Sequence, residues 1–460
     1  MTTFPFEFIQ RMQTWLGAEA GAFLQALAQR DFGLRLNTLR GDAAALAARL
    51  SWPLEAVPWC AEGRVVKAGE PGAHPYHAAG LYYLQDPSTM AAAEILDPRP
   101  GEWVLDLAAA PGGKASHLAA RLQGQGVLVA NDIVRKRTSV LAMNLERMGV
   151  TNALITNETP ERLAERWPEL FDAVLVDAPC SGEGMFARDP QAVRDWSVPV
   201  VQGNARRQVQ ILEQAARLVR PGGRLLYATC TFAPEEDEGV IAAFLERCPD
   251  FALHPVAPRA GFTPGRPEWI GAPAGLRNAV RLFPHTGPGH GHFYALLVKR
   301  GTSEPAPAPW RGREVPGRIL ALYRAALAKA LRGPAPEAGL VFSAGADQLY
   351  LTPMDPELWQ DLHVLRPGWW VGTLRHGEVN PEHALALGIA PETALERLDL
   401  TLEDPRLGQF LAGDSWPDSG PENFVLVTVE GFALGWAKRS GGRLRSRYPI
   451  HLRTLTSVEY

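Results

Sequence analysis

Between residues 101 and 300, short apolar runs alternate with segments in which apolar residues recur at helical spacing. The runs are too short for helices and are bounded by glycine, proline or charged residues, so each predicts a buried β-strand. They read "WVLDLA" (103–108), "GVLVAND" (126–132), "NALIT" (152–156), "FDAVLVDA" (171–178) and "GRLLYATC" (223–230). Strands alternating with helices predict a parallel, doubly wound α/β sheet. Two later runs, "AVRLFP" and "HFYALLVKR", are predicted to pair as a hairpin and to close a domain spanning residues 91–300.

The chain on either side of this domain has other patterns. Residues 1–90 contain Ile9, Met12 and Leu16 at helical spacing, followed by the alternating stretch "FGLRLNTLRGD", which predicts a small α/β module. Residues 301–316 are rich in proline and are predicted to form a linker of limited flexibility. Residues 317–460 offer one or two helices and then aromatic, glycine-rich strands, which predicts a β-rich module.

Composition narrows the class of protein. The 460 residues are 46% hydrophobic and 21% charged, as expected for a soluble chain of several domains, and the net charge of −4 gives no overall basic signature. The four cysteines are too few for a disulfide framework and include no closely spaced pair typical of zinc sites. The N-terminus does not resemble a signal peptide, and no apolar run approaches the ~20 residues of a membrane span. We therefore expect a cytoplasmic protein.

The stretch "LDLAAAPGGK" (105–114) joins a predicted strand to a helix and is typical of a nucleotide cradle. Its small residues let backbone amides approach a ligand in front of a helix N-terminus. The spacing matches neither a dinucleotide fingerprint nor a P-loop. Asp132 ends the next strand, where a carboxylate can bind both ribose hydroxyls. Together these features favour S-adenosylmethionine; the alternative is a glycine turn that serves only helix packing, with a solvated aspartate.

Two cysteines follow strands at this edge of the sheet, Cys180 in "DAPCSG" and Cys230 in "LYATCT". Enzymes that methylate exocyclic amines usually have an aromatic residue where Cys180 stands, so that reaction is disfavoured. A thiolate that attacks C6 of a pyrimidine makes C5 nucleophilic enough to accept a methyl group. The C5 proton must then leave, which requires a second group nearby. The alternative is that both cysteines are small packing residues, which is our interpretation of Cys60 and Cys248.

These motifs, with "AND", "TCTF", "LRLNTLR" and "YYLQDPSTMAAAEIL", closely resemble the Nol1/Nop2/Sun family of RNA cytosine-C5 methyltransferases over about residues 30–300. The final "EGFALGWAKRSGGRLRSRYPIHLR" is similar to the end of bacterial members that methylate small-subunit ribosomal RNA. The resemblance implies a Rossmann-like S-adenosylmethionine-dependent methyltransferase domain between an N-terminal α/β RNA-binding module and a C-terminal PUA-like module. It also implies a monomer that forms 5-methylcytosine in 16S ribosomal RNA, either naked or within the 30S subunit or its precursor.

The resemblance also implies residue roles. Cys230 would attack C6, Cys180 would assist product release, Asp177 would hold the cytosine edge, and Lys114 would lie by both ligands. The implied cofactor-binding residues are Ala108, Ala109, Ala110, Pro111, Gly112, Gly113, Lys114, Asp132, Arg137 and Asp177. A tRNA substrate, or an RNA-binding assembly factor without activity, remains as an alternative, although the intact cysteines and Asp177 argue against loss of activity.

Some positions remain open. The residue that meets the adenine is expected among Asn157, Glu158 and Thr159. Three histidines (His285, His290, His292) are assigned to a loop between strands, and no metal is expected, because no carboxylate or cysteine in that stretch completes a site. Basic residues near the C-terminus are expected to contact RNA phosphates: Lys438, Arg439, Arg443, Arg445 and Arg447.

Overall fold

The structure is a computed structural model that describes residues 4–29 and 32–453. Its N-terminal part contains two helices followed by a four-stranded antiparallel sheet in the order β2-β3-β1-β4. The elements are α1 (Phe6–Leu16), α2 (Ala20–Leu27), β1 (Phe32–Leu36), α3 (Ala43–Ala47), β2 (Leu54–Val57), β3 (Cys60–Val66), α4 (Pro75–Ala78) and β4 (Tyr82–Leu84). The predicted first helix and the strand after it are both present.

Helices α1 and α2 pack against loops of the central sheet rather than against the N-terminal sheet. Phe8 of α1 is fully buried and makes an edge contact with Phe186, at 5.1 Å between ring centroids. Phe23 of α2 makes a similar contact with Phe232 at 4.8 Å. Since Phe186 and Phe232 follow the two cysteine motifs, this apolar contact fixes the loops that carry them.

The central sheet has ten strands, of which β5 to β9 run parallel in the order β7-β6-β5-β8-β9. Strands β13, β12 and β11 continue the sheet antiparallel, and β12 pairs with β13 as the predicted hairpin. The elements are α5 (Ala91–Leu96), β5 (Trp103–Asp106), α6 (Gly113–Leu122), β6 (Val127–Asn131), α7 (Arg135–Arg147), β7 (Ala153–Thr156), α8 (Pro160–Arg166), β8 (Phe171–Asp177), α9 (Pro190–Asp195), α10 (Val198–Leu218), β9 (Val219–Thr229), α11 (Glu238–Arg247), β10 (Phe251–His254), β11 (Thr263–Pro264), β12 (Val280–Leu282) and β13 (His292–Lys299).

Both faces of this sheet are covered. Val104 of β5 packs into one apolar cluster, while its neighbours Trp103 and Leu105 pack into the cluster on the other face. Continuous apolar runs are therefore required in the strands, which is why the sequence pattern predicts them well. The predicted doubly wound α/β fold is confirmed.

The C-terminal part forms two five-stranded sheets, in the orders β14-β15-β16-β18-β19 and β20-β22-β23-β24-β21. The described residues there contain three helices rather than one or two, because α13 and α14 are too short to show a clear helical period. The elements are β14 (Arg313–Glu314), α12 (Gly317–Leu327), β15 (Leu340–Ser343), β16 (Gln348–Leu351), β17 (Val364–Arg366), β18 (Trp369–Arg375), β19 (Glu378–Pro381), α13 (His383–Gly388), β20 (Arg397–Leu400), α14 (Pro405–Ala412), β21 (Ser415–Pro417), β22 (Phe424–Val429), β23 (Phe432–Ser440) and β24 (Arg443–Ser446).

One segment of the C-terminal part completes the central sheet. Within residues 354–366, here called the brace, β17 pairs antiparallel with β7, while Met354 and Leu362 are buried in a core cluster of the central sheet. Trp167 Nε1 also donates a hydrogen bond to the carbonyl of Leu358 at 2.8 Å. The β7 edge of the central sheet is therefore covered by residues that lie beyond the proline-rich linker. In the described part of the chain, no helix has both the length and the apolar character needed to cross a membrane.

Candidate active site

A cleft of about 470 Å³ opens at the carboxyl ends of the parallel strands. It is lined by most of the predicted cradle, together with residues from the N-terminal part and from the loop after β8. The lining includes Ala108, Ala109, Ala110, Pro111, Gly113, Lys114, Asp177, Tyr83, Gln85, Asp86, Met185 and Arg188. Gly112 lies in the turn, at φ +115°, where a Cβ would approach the Leu141 side chain to 3.3 Å. The cradle therefore needs glycine at this position.

Asp132 follows β6 and is almost fully buried behind the cradle. Its carboxylate accepts hydrogen bonds from the backbone amides of Ala110, at 3.3 Å, and Val134, at 2.9 Å. The Arg137 guanidinium lies 3.2 Å from the same carboxylate and donates to the Ala110 carbonyl. The structure thus brings Asp132 and Arg137 to the cradle, where they hold its main chain.

The three residues left open for the adenine differ in their contacts. Asn157 donates from its side chain to the Asp132 carbonyl at 2.7 Å. Glu158 accepts from the backbone amide of His363, in the brace, at 2.7 Å. Thr159 caps α8. The side chains of Glu158 and Thr159 are therefore committed to structural bonds, and that of Asn157 is held beside the cradle.

Cys180 and Cys230 come together because β8 and β9 are adjacent parallel strands. Their sulfur atoms lie 3.4 Å apart, and both residues are half-buried. The following residues, Ser181 and Thr231, are hydrogen-bonded through their hydroxyls at 2.8 Å. The hydrogen bond with Cys230, burial and the nearby Cys230 charge raise the pKa of Cys180 well above its usual value. Cys180 is therefore a protonated thiol in the free protein, in hydrogen-bonding contact with the sulfur of Cys230.

Lys114 and Asp177 form an ion pair in the cleft, with Nζ and Oδ2 2.8 Å apart. Burial raises the pKa of Asp177, but Lys114 and His292 outweigh burial, so the pKa lies well below its ordinary value. Burial lowers the pKa of Lys114, but Asp177 and Cys230 outweigh it, so the net shift is upward. The site thus keeps a carboxylate and an ammonium ion close to the cysteine pair.

Asp106, at the end of β5, was not identified as a site residue from the sequence. Its carboxyl group is fully buried, and neither oxygen is hydrogen-bonded by a side chain of the described residues. Burial, followed by the Asp177 charge, raises its pKa to about 8. The sequence feature that could have identified Asp106 is an acidic residue inside an otherwise apolar strand. Asp106 is therefore a neutral neighbour of the Lys114–Asp177 pair at neutral pH.

Glu236 is a second residue that the sequence interpretation missed. It accepts hydrogen bonds from the Ser181 amide at 2.9 Å and the Ser181 hydroxyl at 2.5 Å, and so supports the loop that carries Cys180. Burial raises the pKa of Glu236 to about 7.

The three histidines of the predicted loop have separate partners. His285 contacts Glu19 at 3.1 Å, and His290 is hydrogen-bonded to Asp86, which lines the cleft. His292 is the first residue of β13, and its Nε2 lies 3.7 Å from Asp177. Thus His292 borders the site from the sheet rather than from the loop.

The basic residues near the C-terminus divide into two groups. Arg443, Arg445 and Arg447 are exposed, and Lys438 is paired with Arg445 across β23 and β24. Arg439 is different, because it is buried and ion-paired with Glu396, at 2.5 Å, and Asp418, at 2.8 Å. The expectation of a phosphate contact by Arg439 is therefore not supported, since its guanidinium is engaged inside the protein.

Comparisons with known proteins cover nearly the whole chain. The family described as 16S rRNA methyltransferase RsmB/F matches residues 93–298, and the N-terminal domain of 16S rRNA methyltransferase RsmF matches residues 4–87. The first C-terminal domain of RsmF rRNA methyltransferase matches residues 328–389, and the methyltransferase RsmF PUA domain matches residues 397–454.

Individual proteins of known sequence or structure match the chain as well. The chain is 32% identical to ribosomal RNA small subunit methyltransferase F of Enterobacter sp. (strain 638) and to that of Klebsiella pneumoniae (strain 342), in each case over 98% of this chain and 96% of the relative. A methyltransferase homologue from Pyrococcus horikoshii has a crystal structure that covers 65% of this chain and 96% of its own, with 32% identity and a TM-score of 0.57. NSun6 from the same organism, solved with SFG, shares the fold at 22% identity, with a TM-score of 0.56, over 65% of this chain and 100% of its own. The chain therefore belongs to the RsmB/F family of 16S rRNA methyltransferases.

Proposed function

We propose that this protein transfers a methyl group from S-adenosylmethionine to C5 of one or more cytosines in 16S ribosomal RNA. The observation that carries the proposal is the pair of sulfur atoms of Cys180 and Cys230, 3.4 Å apart beside the Lys114–Asp177 ion pair. The relatives from Enterobacter and Klebsiella are named as methyltransferases of small-subunit ribosomal RNA. A ribosomal substrate implies a cytoplasmic enzyme.

The cleft residues fit S-adenosylmethionine. The turn around Gly112 and Gly113 exposes main-chain groups at the start of α6, and Asp132 lies directly behind it. Asn157 is the best placed of the three open residues to meet the adenine, because its side chain is bonded to Asp132. When bound, the cofactor supplies an electrophilic methyl group to the cleft.

Cys230 is proposed to attack C6 of the cytosine as a thiolate, forming a carbon–sulfur bond and moving electron density to C5. Lys114 stabilises this thiolate through its positive charge. Asp177, kept ionised by Lys114, faces the N3 and N4 edge of the base and accepts a hydrogen bond from the N4 amino group. C5 would then take the methyl group, whose bond to the sulfonium sulfur breaks so that S-adenosylhomocysteine leaves with the electron pair.

Release requires that the C5–H bond break, that its electron pair restore the C5–C6 double bond, and that sulfur leave C6 as the Cys230 thiolate. Cys180 is proposed to lose its own proton to solvent once the adduct has formed and then, as a thiolate, to accept the C5 proton. Its pKa is raised partly by the Cys230 charge, and that charge disappears once Cys230 is bonded to C6. Cys180 therefore ionises more readily in the adduct than in the free enzyme. It becomes available as a base only after Cys230 has bonded to C6, which is when the C5 proton must be removed.

The proposal also assigns RNA binding to the two flanking modules. Residues 1–90 and 317–460 would bind RNA on either side of the methyltransferase domain at 91–300, with 301–316 as the linker. The exposed residues Arg443, Arg445 and Arg447, with Lys438, would contact phosphates, and the enzyme would act as a monomer on naked RNA or on the 30S subunit or its precursor.

The test is transfer of a tritiated methyl group to total RNA from a strain that lacks the gene, followed by bisulfite sequencing of that RNA. The expected result is label in 16S RNA at a cytosine that bisulfite no longer converts, and none with Cys230→Ala. Label confined to tRNA would favour the tRNA alternative. RNA binding without any transfer would favour an assembly factor.

A further inference from the structure

A second cluster of reactive side chains lies between the N-terminal sheet and the central sheet. Cys60 and Glu62 stand two residues apart on β3 and so project from the same face of the strand. Glu94 comes from α5 and His117 from α6. The four possible ligand atoms all lie within 4.8 Å of one another.

Cys60 and His117 are buried, Glu62 and Glu94 are half-buried, and several polar atoms of the cluster lack hydrogen-bond partners among the described residues. Cys60 and His117 are each 2% exposed. Neither ring nitrogen of His117, nor Oε1 of Glu94, has a hydrogen-bond partner among the described residues. The Cys60 sulfur is 3.6 Å from a carboxylate oxygen of Glu62. Buried polar groups nearly always have partners, so these atoms, aimed at one point, indicate a missing ligand.

The contacts around the cluster position its side chains so that they can bind a cation. The second oxygen of Glu94, Oε2, accepts a hydrogen bond from Arg259 at 3.0 Å, which leaves Oε1 directed to the cluster. Outer contacts of the Glu94–Arg259 kind typically fix metal ligands in position.

We propose that Cys60, Glu62, Glu94 and His117 bind a structural zinc ion. A thiolate, an imidazole nitrogen and two carboxylate oxygens form a mixed set that suits tetrahedral Zn²⁺, and four protein ligands make a closed site. The Cys60 proton passes to solvent when the metal binds. Three anionic ligands exceed the metal charge by one, and the guanidinium groups of Arg259 and Arg121, 3.0 Å and 3.8 Å from Glu94, offset the excess.

The site would join parts of the chain that otherwise meet through packing. It ties β3 of the N-terminal sheet to α5 and α6 of the methyltransferase domain. Helix α6 begins at Gly113, so the metal would also hold the helix that carries the cradle. The sequence analysis assigned Cys60 to packing because it lies outside the two strand-end cysteine motifs, and Glu94 and His117 are distant from it along the chain.

Zinc content of the purified full-length protein tests the proposal. The wild type, Cys60→Ser and His117→Gln are equilibrated with zinc chloride, desalted and analysed by mass spectrometry of the metal. The controls are Cys248→Ser, a half-buried thiol outside the cluster, and the double variant Cys180→Ala/Cys230→Ala, which removes the other thiol pair. We expect about one zinc per chain in the wild type and both controls, and at least a roughly tenfold loss in Cys60→Ser and His117→Gln.

Cobalt gives an independent readout on the wild type. Co²⁺ should produce a thiolate charge-transfer band and the intense visible bands of tetrahedral coordination, both persisting in Cys180→Ala/Cys230→Ala. This measurement keeps the proposal testable even when a cluster variant fails to fold, as judged by circular dichroism. Absence of both zinc and the cobalt band from the wild type would overturn the proposal, as would loss of zinc in Cys180→Ala/Cys230→Ala with retention in folded Cys60→Ser.

Discussion

The sulfur atoms of Cys180 and Cys230 lie 3.4 Å apart, and the residues that follow them are hydrogen-bonded to each other through Ser181 and Thr231. The Gly184 amide adds a further bond, to the carbonyl of Cys230, at 2.8 Å. The two thiols are thus held by a shared network rather than by two independent loops. Replacing one cysteine should therefore leave the position of the other largely unchanged, which makes single variants informative.

The two cysteine variants should differ in the covalent species that they accumulate. Cys230→Ala cannot form the bond to C6, so turnover should vanish while RNA and cofactor still bind. Cys180→Ala should still attack and methylate, but it lacks the group proposed to accept the C5 proton. A denaturing gel with S-adenosylmethionine present should show a protein–RNA adduct for Cys180→Ala, and none for Cys230→Ala or the double variant. An adduct that survives Cys230→Ala would make Cys180 the nucleophile.

Asp132→Ala should weaken binding of S-adenosylmethionine about tenfold or more, because a charge-assisted hydrogen bond contributes about 1.5 to 3 kcal/mol. The variant loses the proposed bonds to the ribose and also the bond to the Ala110 amide that shapes the cradle. Asp132→Asn has a side chain of equal size without the negative charge, so it separates the effect of losing the charge from the effect of losing the side chain. Calorimetric titration is the measurement, with the exposed Asp195→Ala as control. Native affinity in Asp132→Ala would contradict the assignment.

Stability should depend on pH through Asp106. Its folded-state pKa of about 8 lies above the ordinary 3.8, so the folded state holds a proton that the unfolded chain releases. The stabilisation is complete below pH 4 or so and is lost as pH rises through about 8. In urea unfolding at several pH values, Asp106→Asn should lack this decline, which amounts to something on the order of 4 kcal/mol between pH 5 and 8. Curves for wild type and Asp106→Asn that stay parallel between pH 5 and 8 would refute the prediction; Asp195→Asn is the control.

Arg445→Ala should weaken RNA binding and lower the salt dependence of binding by about one phosphate contact. Arg445 is exposed on β24 beside Lys438. Arg247→Ala, at an exposed arginine on α11, is the matched control. Filter binding at several salt concentrations provides the test, and equal slopes for wild type and Arg445→Ala would exclude a phosphate contact there.

Arg439→Ala should instead lower the melting temperature, because it leaves Glu396 and Asp418 without their buried partner.

The sequence predicted those parts of the fold in which local pattern and burial agree. Strands β5 to β9 are buried on both faces, so their apolar runs are visible in the chain, and the ends of β8 and β9 located the cysteine pair correctly. Strand β17 escaped prediction because it has three half-buried residues and takes its place through pairing with β7. The protonation of Asp106 depends on burial and on the Asp177 charge, and the pairing of Arg439 depends on Glu396 and Asp418, which lie far from it along the chain.

The brace has a consequence for how the protein is made. Residues 354–366 leave the ribosome long after β7 and α8, against which they pack. Until then the edge of the central sheet at β7 lacks its last strand, and Glu158 lacks its bond to His363. Unpaired strand edges invite association between nascent chains. A ribosome stalled shortly before residue 354 should therefore carry a protease-sensitive, aggregation-prone methyltransferase domain, and translation through the brace should protect it.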